Sequence, residues 1–296
     1  MSVAGQAAHI FTVDVEDWFQ VNALERWAPR SRWDQFERRI EGSTDRVLEL
    51  LQGHGAHGTF FTLGWVAERH PGLIRRIAGA GHEVASHGWW HRKVTTITRE
   101  AFREDLRASK AVLEDASGQR VLGFRAPSFS IRPGMEWAFD VLLEEGYEYD
   151  SSLFPIRRPD YGWPGGPTSA RHIRRASGAL LELPLATTVI AGLRLPAAGG
   201  GYLRQAPFGL TTRAFREYTG RGEAGVFYIH PWELDPDQPR LDLPWITRMR
   251  HYRGLERTVV LLDRLLSLFP FTSVARRFGL DQSGAQPPTW SVPALA

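Results

Sequence analysis

Ile10-Phe11-Thr12-Val13-Asp14-Val15 is a short, apolar, β-branched run that reads as a buried strand, with the acids Asp14, Glu16 and Asp17 gathered at its C-terminal end. Working outward, Ser43 to Gln52 reads as a capped helix with Val47, Leu48 and Leu51 on one side, closed by Gly53 and Gly55. Thr59 to Leu63 is strand-like, Pro71 to Ala80 helical, and His82 to Ser86 strand-like again. Glu100 to Ala116 and Met135 to Glu145 read as helices, Leu122 to Phe124 and Gly225 to Ile229 as strands. Such alternation predicts an α/β barrel or parallel sheet, with functional residues in the loops that follow the strands.

Between Ser151 and Arg213 the pattern breaks into Pro, Gly and Arg with short apolar runs, read as a β-rich insertion over residues 155–215. Val259, Leu262, Leu266 and Phe269 space as one face of an amphipathic helix broken at Pro270, within a C-terminal helical extension over residues 235–280. One catalytic domain over residues 1–280 is expected, followed by a disordered tail from Asp281.

A chain of 296 residues with 43% hydrophobic content buries a full core, and its formal charge of +3 includes no polybasic block, so nucleic acid is not implied as a partner. There is no cysteine, so any metal must be held by His, Asp or Glu. Asp263, Arg264 and Pro270 interrupt the longest late apolar stretch and argue against a membrane span. The start of the chain does not read as a signal peptide, so a cytoplasmic location is expected.

Ser86-His87-Gly88-Trp89-Trp90-His91 sets two imidazoles four residues apart, a spacing that brings both onto one ion if the backbone turns helically after a strand. The clustered acids Asp14, Glu16 and Asp17 repel one another, and a cation or a division of roles among them relieves that. Gly199-Gly200-Gly201-Tyr202 alone does not make a phosphate loop.

Five segments in order resemble the polysaccharide deacetylases of carbohydrate esterase family four, the NodB-type homology domain: Thr12 to Asp17, Ser86 to His91, Phe124 to Phe129, Tyr149 to Ser152, and Phe227 to Trp232. The Asp-Val-Glu-Asp-Trp variant, the triple glycine and the region from Arg253 to Phe271 look closer to deacetylases of exosortase-associated exopolysaccharide loci. The resemblance implies a distorted (β/α) barrel with about seven strands, a divalent metal such as zinc, and hydrolysis of N-acetyl groups on a polysaccharide or its lipid-linked precursor.

Carried over residue by residue, Asp14 matches the catalytic base, His87 and His91 the metal imidazoles, Arg125 the partner of the base, and His230 the general acid, with Asp150 holding that imidazole charged. The family pattern of two adjacent aspartates is broken here by Val15 and Glu16. Asp17 preserves the usual metal carboxylate, while Glu16 shares a strand face with Asp14; Asp17 is the expected ligand. The metal would polarise the acetyl carbonyl and acidify water. Trp18, Trp89, Trp90, Trp163 and Trp232 are candidates for stacking on sugars, and Glu182 for lining the cleft. Alternatives are hydrolysis of cyclic amides or ureides on the same fold, and a non-catalytic carbohydrate-binding protein. Contact with membrane-bound polysaccharide synthesis machinery, through the segment around Leu261 to Phe269, is a further expectation.

Overall fold

A computed structural model describes residues 8–280 and 294–295. Strand β1 (His9–Val15) is buried along its whole length, as a continuous β-branched and aromatic run must be when helices cover one face and a packed interior the other. It is followed by α1 (Ile40–Gly53), β2 (Thr59–Thr62), α2 (Gly64–Arg69), α3 (Pro71–Gly79), β3 (Glu83–Ser86), α4 (Arg99–Ser117), β4 (Gly123–Phe124), α5 (Trp137–Glu144) and β5 (Tyr149–Asp150). The longest of these helices is bounded by chemistry: Thr98 caps α4 by accepting from Ala101 N at 3.2 Å, and Gly118, at φ +68°, ends it.

Beyond β5 come β6 (Arg171–Arg175), β7 (Gly178–Glu182), β8 (Thr187–Ile190), β9 (Leu193–Pro196), α6 (Gly200–Gln205), α7 (Phe208–Gly220), β10 (Val226–Ile229), α8 (Trp245–Tyr252), α9 (Thr258–Leu268), β11 (Phe271–Thr272), α10 (Val274–Phe278) and β12 (Ala294–Leu295). The main sheet runs in the order β10-β1-β2-β3-β4-β5-β7-β6-β12, with β11 pairing on β1. All of its pairings are parallel except the β6–β7 hairpin. A parallel bridge from Leu185 to Val226 joins the segment after β7 back to β10 and brings the two ends of the curved sheet together. The fold is thus mixed α/β around a parallel sheet, as the alternation predicts.

Ile10, Phe61, Ala85, Tyr149, Leu181 and Val226, one from each of six strands, pack with Val274 and Phe278 of α10 as a separate apolar cluster. Helix α10 is seated by Val274 N donating to Thr59 Oγ1 at 2.9 Å. The larger core lies between the sheet and the helices and includes Val13, Val47, Phe60, Leu73, Val84, Leu106 and Phe227.

The region read as a β-rich insertion is β-rich only to Pro196, after which α6 and α7 follow, and its strand β7 is an integral part of the main sheet. In α9 the buried positions are Thr258, Leu262, Leu265 and Leu266, while Val259, expected on the apolar face, is 42% exposed; the face that docks is rotated toward Leu265. No described helix is long and apolar enough to cross a membrane. The tail expected from Asp281 lies outside the described residues except for Ala294–Leu295, which pairs beside β6.

Candidate metal and acid-base centre

The residues of interest sit at one end of the sheet because each follows a parallel strand. Thr12 and Asp14, two residues apart in β1, both receive Arg125 Nη1 at 2.7 Å, and Glu16 continues the same alternation past the strand end. Arg125, next after β4, is fully buried and bonded through all three nitrogens: Nε donates to Ser151 O at 3.0 Å and Nη2 to Ser151 Oγ at 2.8 Å. An unpaired guanidinium at that depth would be severely penalised, so Arg125 both compensates and orients the Asp14 carboxylate.

His87 and His91 leave β3 in a bent segment. The expected helical turn is absent; Gly88 at φ +73° and His91 at φ +52° fold the backbone instead. A histidine in the left-handed region is strained, and here the strain brings the two ring centroids to 5.1 Å. His87 Nδ1 pairs with the Arg125 carbonyl at 2.7 Å, which fixes it as the donor and frees Nε2. Burial pushes His87 down to about 4, keeping it a neutral imidazole.

Glu16, His87 and His91 each offer a ligand atom, all within 4.8 Å of one another. Glu16 Oε2 lies 2.9 Å from His91 Nε2 without a well-aligned hydrogen bond, and His91 Nδ1 has no hydrogen-bond partner among the described residues. Buried polar atoms left in this state, in an imidazole and carboxylate set without thiolates, fit a divalent cation such as zinc. Burial works to raise Glu16, but the charges of His91 and His230 outweigh it and hold the carboxyl at about 2.

The expectation that Asp17 supplies the metal carboxylate is corrected. Its side chain points away from the imidazoles and accepts from Trp18 N at 2.9 Å, Arg39 N at 2.9 Å and Ile40 N at 3.1 Å, tying the chain end of β1 to the start of α1. Strand alternation decides this, because Asp14 and Glu16 share a face and the next residue does not. The pairing of Asp150 with His230 is corrected too. Asp150 accepts from Ser152 Oγ at 2.6 Å and shares a hydrogen bond with Glu182; Ser152 Oγ in turn accepts from Ala126 N at 2.8 Å, so this network braces the loop after Arg125.

His230, following β10, points Nε2 at Glu16 Oε1, 3.3 Å away, and lies 4.0 Å from Asp14 Oδ2. Its Nδ1 meets Glu233 Oε2 at 3.1 Å, and the same oxygen accepts from His230 N at 3.1 Å. Burial alone would lower this imidazole, but Glu16, Glu233 and Asp14 raise it to about 9. Glu233 was not read from the sequence, although His230-Pro231-Trp232-Glu233 carries the cap-x-x-Glu spacing of a capping box with histidine as the cap. Arg204, which donates from Nε to Glu233 Oε1 at 3.1 Å, left no such trace.

Of the five tryptophans proposed to stack on sugars, Trp18 is core, its Nε1 donating to Glu37 O at 3.0 Å, and Trp232 is buried between the rings of His230 and His251. Trp89, Trp90 and Trp163 are partly exposed. Glu182 does not line a cleft; it is fully buried and accepts from Leu153 N at 3.0 Å.

Residues 32–138 match the polysaccharide deacetylase family, and residues 151–279 match a domain of unknown function, DUF3473. A peptidoglycan-N-acetylglucosamine deacetylase of Listeria monocytogenes is 29% identical over 153 residues, 48% of this chain and 32% of that protein. A chitooligosaccharide deacetylase of Sinorhizobium fredii is 36% identical over 100 residues, 33% of this chain and 44% of that protein. The chain thus spans less than half the length of these curated relatives. The crystal structure of a candidate polysaccharide deacetylase from Mycobacterium smegmatis superposes with a TM-score of 0.61 at 20% identity, covering 99% of this chain and 98% of that one, and shows that the fold is shared. Residues 32–138, the stretch that matches the polysaccharide deacetylase family, contribute both clustered imidazoles and the buried arginine, and the second matched region brings His230 and Glu233.

Proposed function

We infer that the chain is a metal-dependent hydrolase that removes N-acetyl groups from amino sugars of a polysaccharide. The observation that carries this is the convergence of Asp14, held by Arg125, and His230, held by Glu233, on the Glu16, His87 and His91 cluster. Glu16, His87 and His91 would hold the cation, zinc by ligand chemistry, and once bound it supplies Lewis acidity to the acetyl carbonyl and to water.

The protein groups supply the proton transfers. Asp14 accepts a proton as water attacks the carbonyl carbon, and its bond from Arg125 keeps one oxygen occupied and the other turned to the centre. His230 donates from Nε2 to the departing amine, which leaves poorly as an anion. Two opposed proton roles require two environments, and Arg125 on one side and Glu233 on the other provide them.

The relatives named as peptidoglycan and chitooligosaccharide deacetylases support an N-acetylated glycan as the substrate class. The sequence resemblance of the Asp-Val-Glu-Asp-Trp variant and the triple glycine to exosortase-associated deacetylases is the ground for proposing an exopolysaccharide or its lipid-linked precursor. Acetate release from N-acetylglucosamine oligomers by the zinc-loaded chain, before and after chelation, tests the reaction. Release that requires the metal supports it. If the zinc-loaded chain opens cyclic imides but frees no acetate from glycans, the bond assigned here is wrong.

A further inference from the structure

The triple glycine and Arg204 lie at and within α6, in the region that matches a domain of unknown function. The short helix packs on the carboxylate behind His230. A Cβ added at Gly200 would fall 2.2 Å from Glu233 Oε2 and 2.8 Å from Oε1, whereas one added at Gly201 would find its nearest neighbour, Glu233 Oε1, at 3.9 Å. The backbone reaches this carboxylate only because position 200 has no side chain. One turn along, Arg204 Nε donates to Glu233 Oε1 at 3.1 Å, leaving Oε2 for His230.

The other two nitrogens of Arg204 meet main-chain carbonyls at the end of α8: Nη2 donates to Arg250 O at 3.1 Å, and Nη1 donates to Arg253 O. Arg204 and Glu233 are 3% and 1% exposed. A buried ion pair holds its geometry when all its hydrogen bonds are made, and loses it when one partner is removed. The guanidinium therefore joins α6, α8 and the acid side of the centre at one point.

We propose that Gly200 and Arg204 are positioning residues for His230, holding the Glu233 carboxylate where it fixes the imidazole with Nδ1 toward Glu233 and Nε2 toward the substrate. This rests on the deacetylase reading, in which the C–N bond breaks, its electron pair stays on nitrogen, and the Nε2 proton passes to that nitrogen. An amine needs this proton to leave, whereas an aryl oxide leaves without it. The relay consequently matters for amides and not for activated aryl esters.

The test uses the full zinc-loaded chain on an N-acetylglucosamine oligomer and on 4-nitrophenyl acetate. Gly200→Ala and Arg204→Met should lower kcat on the amide about 100-fold with KM unchanged, and alter aryl acetate turnover by less than about threefold. Gly201→Ala should match the wild type on both substrates, and Arg204→Lys, which keeps the charge but loses the fork, should fall between. Losses of equal size on both substrates, or unchanged amide turnover in Gly200→Ala, overturn the relay. If Arg204→Met fails to fold, the Gly200→Ala and Gly201→Ala pair still decides. A wild-type chain that turns over neither substrate removes the deacetylase reading and the relay with it, while an active wild type with parallel losses removes the relay alone.

Discussion

On the wall of the centre built by β1 and β3, Glu16 Oε2 and His91 Nδ1 are buried without well-formed hydrogen bonds, and His91 sits in a strained backbone conformation. On the adjoining wall, after β10, both carboxylate oxygens of Glu233 and Nδ1 of His230 are engaged, and Arg204 behind them is bonded through all three of its nitrogens. The first wall has the character of a site that needs a ligand to be satisfied, the second of an acid assembled in advance. A polar cluster in a protein interior is stable only when its atoms are paired, so the unpaired atoms of Glu16 and His91 are where a cation would be held.

The largest effect expected from this contrast is on Asp14, which belongs to neither wall's ligand set but faces both. Asp14→Asn should reduce acetate release by about 1000-fold while zinc still binds; equal loss of zinc in a chelator competition would move Asp14 into the ligand set and erase the division. Next, Glu16→Gln should weaken zinc binding by about 100-fold or more, and Asp17→Asn should leave it unchanged. The reverse ranking in a calorimetric titration would return the metal carboxylate to Asp17. Asp17→Ala should instead lower folding stability by about 1–3 kcal/mol, read from denaturant midpoints, because the amides of Arg39 and Ile40 lose their acceptor.

The smallest effect concerns the Asp150 and Glu182 pair, which lies below the centre and touches neither wall's ligands. Burial raises Asp150 to about 6, and burial together with the charge of Asp150 raises Glu182 well above its usual range. The folded chain then holds protons that the unfolded chain releases, so the pair's contribution is complete below the ordinary carboxyl range and is lost as pH rises above it, through about 6 for Asp150 and as Glu182 ionises in its turn. Glu182→Gln cannot ionise, so its thermal midpoint should gain on the wild type as pH is raised through that interval. Parallel midpoint curves would show that the pair is not sharing a proton.

Much of the first wall was legible because it obeys periodicity. Alternation places Thr12, Asp14 and Glu16 together, and the strand-helix rhythm from Ile10 to Ser86 puts His87 after a parallel strand. Residue type nonetheless points to Asp17 as the ligand, and the strand face overrules it. The second wall was largely closed to sequence reading. Glu233 is three residues from His230 and had a capping signal to betray it, but Arg204 reaches it from 29 residues away through a contact that only packing creates. The motif around Asp150 points it at the imidazole, while the chain turns it toward Ser152 and Glu182.

Strand β10, which delivers His230, is tied to β1 by a register of four residue pairs but to the far end of the sheet by the Leu185 and Val226 bridge and the Ala186 amide. The curved sheet therefore has a seam, and the seam runs beside the strand that delivers His230. Prying it open breaks hydrogen bonds worth about 1 kcal/mol each, whereas separating β1 from β2 breaks a whole ladder and disturbs Asp14. Opening at the seam therefore leaves β10 on β1, with His230 and Asp14 in register, and amide exchange at Ala186 should be the sign of that motion.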